Sequence, residues 1–260
     1  MPNTSPVTEK KLIYKRFEKA LSTYDKHATV QFRMAELLLK LINKHIENTP
    51  TQIFEIGCGT GVVTELLCTQ FPQSHIIAND LVQQVESYVR QKTNKTKNSS
   101  LSFYFGDIES IPFPDNSQLI CSGATLQWIA ELDNVFQKIF NALSTNGLFA
   151  FSTFGNENFK EIKQINNSGL IYPTDIEMLM KTAPYFRLLD SIEWSEGIHF
   201  QSPLEVLKHM KLTGVNSVSA TGWTKENLNS FTNSYQCFKT DGKGYSLTYH
   251  PKLYIFEKII

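Results

Sequence analysis

Residues 53–61 read Ile-Phe-Glu-Ile-Gly-Cys-Gly-Thr-Gly, and a helical stretch, Val62–Thr69, follows directly. A short apolar strand therefore runs into a turn with glycine at every second position, and the turn opens a helix. Glycine has no Cβ to hold a ligand away from the backbone N–H groups, so the main chain can approach a bound molecule. A glycine-rich strand–helix turn by itself is shared by several nucleotide folds. Three features narrow it. The spacing is G-x-G-x-G and not G-x-G-x-x-G; Glu55 stands on the strand two residues before the first glycine; Asp80 closes the next apolar run and Gly106-Asp107 closes the one after.

Outward from this turn the same rhythm continues. Apolar runs at Ile53–Ile56, His75–Asn79, Leu101–Phe105, Gln118–Ser122 and Gly147–Thr153 alternate for the most part with helical segments. That alternation implies crossover connections and a parallel sheet with helices on both faces. Upstream, residues 9–22 read as a helix, and residues 29–46 as a stronger one with Val30, Met34, Leu37, Leu38, Leu41 and Ile42 on one face. Downstream of Phe154 the pattern becomes helix and loop to residue 183, then a strand at Phe186–Trp194. A helix should start at Ser202, with Pro203 at its first position and Glu205 completing a capping box, and stop near Gly214. Another is expected from Thr224 to about Phe238. Ser246–Glu257 should close the chain as a strand, with Pro251 demoting its middle to an edge or a bulge.

Composition bounds the function. The 260 residues carry 25 Lys plus Arg against 25 Asp plus Glu, so no overall field draws nucleic acid or an anionic membrane. No apolar run approaches the roughly 20 residues that span a bilayer, and the first ten residues do not read as a signal peptide. Cys58, Cys68, Cys121 and Cys237 form no C-x-x-C pair, and the histidines show no ligand spacing, so no metal is expected. A soluble, cytoplasmic, monomeric protein is the expectation, folded as a single domain over 1–260. Within it, 1–48 would form N-terminal helices and a flap, 49–155 the ligand-binding core, and 156–260 covering helices and C-terminal strands.

The acids then select a ligand. A carboxylate at the tip of the second strand can accept both ribose hydroxyls, and one after the third can take an adenine amino group. Such a ligand lies outside the carboxyl ends of the strands. Glu55, before the loop, would repel a pyrophosphate but suits an ammonium. This favours S-adenosylmethionine over NAD.

Residues 50–155 resemble the class I S-adenosylmethionine-dependent methyltransferases, whose acidic G-x-G-x-G motif stands here as Glu55–Gly61. The resemblance implies a Rossmann-like fold with a mostly parallel seven-stranded sheet, an N-terminal helical flap and inserted helices. It implies that Glu55 meets the methionine amino group, that Gly57, Cys58, Gly59 and Gly61 bring backbone to the cofactor, and that Asp80 and Leu81 meet the ribose. Asp107 and Ile108 would hold the adenine, with Ser122 beside the methionine portion and Gln127 and Trp128 on the rim. The asparagine–proline–aromatic signature of amino-group methyltransferases is absent; Ser122-Gly123-Ala124-Thr125 stands in its place.

The flanks are more particular. Ser22-Thr23-Tyr24-Asp25-Lys26-His27-Ala28 with Gln31, the Pro203–Lys211 run followed by Thr213-Gly214-Val215-Asn216-Ser217, and Leu247-Thr248-Tyr249-His250-Pro251 together look like the malonyl-acyl-carrier-protein O-methyltransferases of biotin synthesis (the BioC family). Lys211–Ser217 is the most specific mark. The resemblance implies methyl transfer from S-adenosylmethionine to the free carboxylate of malonyl-acyl carrier protein, with malonyl-coenzyme A left open as an alternative methyl acceptor. It puts Tyr24 on the flap near the methyl donor as a positioning residue, and counts Tyr24 and Gln31 among the cofactor-binding residues. Lys208, His209 and Lys211 become candidates for the substrate carboxylate or phosphopantetheine, although an exposed, solvated helix face is the plainer reading. Residues 9–19 carry Lys10, Lys11, Lys15, Arg16 and Lys19 against Glu9 and Glu18, a basic face on which Lys15, Arg16 and Lys19 could dock an acidic carrier. Other readings stay open: another small carboxylic acid or a quinone precursor as acceptor, or a cofactor-binding sensor without turnover.

Overall fold

The computed structural model describes residues 6–98, 100–166, 170–214 and 224–259. The chain opens with α1 (Pro6–His27) and α2 (Thr29–His45), then alternates through β1 (Gln52–Ile56), α3 (Val62–Gln70), β2 (His75–Asp80), α4 (Val85–Thr93) and β3 (Leu101–Phe105). Then come β4 (Ser117–Gly123), α5 (Leu132–Ala142), β5 (Leu143–Phe154), α6 (Lys160–Asn166), α7 (Asp175–Thr182), β6 (Phe186–Glu193) and β7 (Glu196–Phe200). The chain ends with α8 (Pro203–Leu212), α9 (Lys225–Ser234), β8 (Lys239–Thr240), β9 (Gly244–Tyr249) and β10 (Pro251–Lys258). Val215–Ser217, part of the segment that marks the resemblance, lie outside the described residues.

Seven strands form one sheet in the order β3-β2-β1-β4-β5-β10-β6. The first five are mutually parallel, and β10 runs antiparallel between β5 and β6. The expected Rossmann-like sheet is therefore present. Its central strands have no polar face, because both faces are covered. Successive residues go to opposite cores: Ile53, Leu119 and Ala150 pack with Met34, Leu38 and Leu67. Phe54, Ile120, Phe149 and Phe151 pack with Phe136 and Ile139 of α5 and with Phe256. This period of two also sends Glu55 to the same side as Ile53, toward α3.

The strand reversal at β4 places the crevice. β2 and β3 lie to one side of β1 and β4 and β5 to the other, so the connections leave β1 and β4 in opposite directions. Ligands of open α/β sheets bind at that switch point. Here α1 crosses it as a cover, ending against α8: Thr23 Oγ1 donates to the Leu212 carbonyl at 3.1 Å.

The C-terminal strand departs from the sequence reading. Residues 246–257 do not form one strand; the chain breaks at His250, and β9 joins β7 and β8 in a separate three-stranded sheet. Pro251 begins β10, where its missing N–H costs no central bond, and β10 is an interior strand and not an edge. The Ser202 cap is also modified: its hydroxyl accepts from Glu205 N at 3.3 Å, while the Glu205 carboxylate takes the Gln201 N–H at 2.9 Å. A reciprocal box forms instead at Thr174 and Glu177, which heads α7.

Candidate active site

The glycine loop bends left-handed at each glycine, with φ of +71° at Gly57, +51° at Gly59 and +87° at Gly61. The reasons differ by position. A Cβ on Gly57 would fall 2.2 Å from Thr125 Oγ1, and one on Gly61 would fall 2.9 Å from the Val89 Cα. At Gly59 nothing lies within 4 Å, so that face of the loop is open to the cavity. Asp80 pins the loop: Oδ2 accepts from Gly59 N at 2.8 Å and Oδ1 from Val82 N at 2.8 Å.

Glu55 lies beneath, 1% exposed, and Thr64 Oγ1 of α3 donates to its Oε2 at 2.7 Å. Burial pushes its carboxyl up to about 7; the Thr64 bond opposes this and Asp80 adds to it. Burial also raises the Asp80 carboxyl above its ordinary value. Glu55 is buried and Asp80 part-buried, and among the described residues no ion pair is formed by either, so the two acids suit a cationic ligand.

One cavity gathers Tyr24, Gln31, Glu55, Gly57, Cys58, Gly59, Asp80, Leu81, Asp107, Ile108 and Trp128. Ser122 and Gly61 stand outside this lining. Ser122 is fully buried and donates to the Ile56 carbonyl at 3.0 Å, so its hydroxyl braces β1 against β4. Gln127 lines an adjoining side chamber, with its amide donating to the Ala124 carbonyl at 2.6 Å. The Cys58 and Cys121 thiols are buried and pushed well above the usual thiol range, which leaves both protonated and unreactive.

The cover is tied down by contacts the sequence did not announce. Lys10 pairs with Asp107 and, at 2.6 Å, with Glu109, so one cation counted on the basic face of α1 is spent inside the site. At the other end of the helix, Asp25 accepts from Thr60 Oγ1 of the glycine loop at 2.6 Å and pairs with Lys92. Between them Phe17 sets its ring at 89° to that of Trp128, centroids 5.3 Å apart. Arg16 is half-buried, and burial lowers its guanidinium, whereas Lys15 and Lys19 are exposed.

The helix at 203–212 splits its three candidates. Lys208 and Lys211 are exposed and line neither cavity. His209 is not on their face: it is buried, with Nε2 2.8 Å from the Tyr249 hydroxyl. Burial, and secondarily His27, lowers it to about 4, so it is neutral near pH 7. The helical period puts His209 on the core side with Val206, Met210 and Thr213; a count of polar residues along the sequence missed this. Among the described residues, no group of three or more His, Cys, Asp or Glu could hold a metal ion. No helix among them is long and apolar enough to cross a membrane.

A family model described as a methyltransferase domain matches residues 54–151. Among solved structures, the N-methyltransferase NodS from Bradyrhizobium japonicum, in complex with S-adenosyl-L-homocysteine, superposes with a TM-score of 0.60 over 95% of this chain and 99% of that one. Its identity is 13%, so the likeness is one of fold. The malonyl-[acyl-carrier protein] O-methyltransferase of Calditerrivibrio nitroreducens is 39% identical over 242 residues, taking in 93% of this chain and 94% of that protein. The protein of the same name from Haemophilus influenzae is 36% identical, over 95% of this chain and 94% of its own length. With identity of this order spread over nearly the whole length of both partners, the chain belongs to the malonyl-[acyl-carrier protein] O-methyltransferase family.

Proposed function

We propose that this chain moves the methyl group of S-adenosylmethionine to the free carboxylate of malonyl-acyl carrier protein, leaving S-adenosylhomocysteine and a methyl ester. The observation that carries the site reading is the buried Glu55 beneath an open Gly59, flanked by Asp80 and Asp107 around one cavity. The residues fit the group. Glu55 takes the ammonium, Asp80 and Leu81 the ribose, and Asp107 and Ile108 the adenine end, which Lys10 closes. Gln31 Oε1 is buried without a hydrogen-bond partner among the described residues, an acceptor that a ligand donor completes.

When bound, S-adenosylmethionine supplies an electrophilic methyl on a positively charged sulfur. The chain's own task is positioning and exclusion of water. A malonyl carboxylate is already ionised at pH 7, so no general base is needed, and the buried His209 is held by Tyr249. Nucleophile and sulfonium carry opposite charges that disperse on transfer, so a dry site favours attack. Phe17, Leu21 and Tyr24 of α1, with Trp128, supply that dry wall. The exposed Lys15 and Lys19 on the outer side of the same helix suit an acidic carrier, with Arg16 between them.

The test is labelled methyl transfer to malonyl-carrier and malonyl-coenzyme A, with acetyl-carrier as control. The acetyl group has no free acid, so equal labelling of malonyl- and acetyl-carrier overturns the proposed acceptor.

A further inference from the structure

Beside the main cavity lies a narrow side chamber that shares Phe17, Tyr24, Gln31, Ala124 and Trp128 with it. Its far wall is formed by Asn158, Phe159, Tyr172 and Tyr249. Its free space is about 20 Å³, against about 170 Å³ for the main cavity. On a scale where one water-sized sphere takes roughly 10–15 Å³, the chamber admits a head group of carboxylate size and excludes a ring. Among the described residues that line it, none is cationic.

On its far wall, the Tyr172 hydroxyl is left as a donor without an acceptor among the described residues. Asn158 Oδ1 accepts the backbone N–H of His250 at 3.2 Å, which fixes the orientation of the amide. Its Nδ2 therefore donates, to the Tyr172 hydroxyl at 2.9 Å. A hydroxyl has one proton. Tyr172 uses its oxygen to accept and donates no hydrogen bond among the described residues. Burial raises this phenol to about 12, so the proton stays in place at working pH. Tyr24, on the seam of the two cavities, likewise donates no side-chain hydrogen bond among the described residues. Tyr249 differs, because its hydroxyl is engaged with His209 and with Gln31 and Thr213.

We propose that this side chamber receives the acceptor's carboxylate, with the Tyr172 hydroxyl, aimed by Asn158, as the anchor of one carboxylate oxygen and Tyr24 as a second donor at the seam. The inference rests on the malonyl reading above. Neutral donors suit the chemistry better than a lysine or arginine. A full positive charge would stabilise the resting carboxylate and blunt its attack, whereas a phenol satisfies one oxygen and leaves the other free. The size of the chamber adds selectivity for a short acid head.

The test is Tyr172→Phe, which keeps the buried ring and removes the donor. A hydrogen bond to a charged group is worth roughly tenfold to a hundredfold in affinity. We expect KM for malonyl-carrier to rise by about that factor, and the Kd of malonyl-carrier for the chain saturated with S-adenosylhomocysteine to rise with it. The affinity for S-adenosylhomocysteine itself should not move. A rise in malonyl-carrier Kd of threefold or more supports the anchor; a smaller one overturns it. Asn158→Asp is the second variant, since an added acceptor recaptures the Tyr172 proton. It should weaken malonyl-carrier similarly, and the double variant should be little worse than either single one. Full additivity overturns the coupling. Failure of the unaltered chain to label malonyl-carrier is a separate result that removes the acceptor reading and the anchor with it. Normal labelling by both variants removes the anchor alone.

Discussion

Replacing Glu55 by glutamine should make the ligand-free protein more stable and a poorer binder at once. The carboxyl has an ordinary value of 4.5 and stands at about 7 in the fold. For an acid raised in this way the sign is unfavourable to folding. Between about 4.5 and 7 the native state holds the proton that the unfolded chain has released, so stability falls as pH rises through that window and is level above it. A gap of about 2.5 pH units, at about 1.4 kcal/mol each, makes a penalty of about 3.5 kcal/mol at pH 8. Glutamine has no charge to bury and can still accept from Thr64. At pH 8 the Glu55→Gln protein should therefore melt roughly 7–14 °C higher, at about 2–4 °C per kcal/mol for a chain of this size. At pH 4.5 the two proteins should melt together. Saturating S-adenosylhomocysteine should erase or reverse the gain at pH 8, because only the carboxylate meets the ligand's ammonium. Thermal unfolding at the two pH values, with and without ligand, is the assay. A difference between the two proteins that is the same at pH 4.5 and pH 8 refutes the reasoning.

The same carboxylate makes binding depend on pH: S-adenosylhomocysteine affinity should be level above about 7 and fall toward tenfold per pH unit below it, with proton release seen by calorimetry in two buffers. Gly61→Ala should cost about 1–3 kcal/mol in chemical denaturation, since φ is +87° and the new Cβ meets the Val89 backbone at 2.9 Å. Gly59→Ala meets no atom within 4 Å, so it should unfold more nearly like the parent yet bind S-adenosylhomocysteine at least tenfold more weakly, by about 1.4 kcal/mol. Lys15→Glu with Lys19→Glu should raise KM for malonyl-carrier several-fold at low salt and little at high salt, with KM for S-adenosylmethionine unchanged.

Glu55, the alternate glycines, Asp80 and Asp107 were legible in order because each is tied to the end of a strand, and strand ends follow from local apolar runs. The five parallel strands and both N-terminal helices were likewise readable, since burial on both faces of a strand and on one face of a helix writes itself into residue periodicity. Other features depended on which distant residues meet. His209 looked exposed beside Lys208 and Lys211, and only the packing of α8 against β9 turned it toward Tyr249. Lys10 looked like one more solvated charge until α1 crossed the sheet and set it on Asp107. Asn158 and Tyr172 lie in a stretch that read as helix and loop, and their hydrogen bond becomes a wall of the side chamber only because the chain leaves the three-stranded sheet at His250 and enters the main sheet there. Local sequence thus determined where a nucleoside-sized ligand could meet the backbone, because that contact is made within single strand–turn units. The tertiary structure decided what closes over it and what lines the side chamber, because those groups come from segments far apart in the chain, whose meeting no local pattern records.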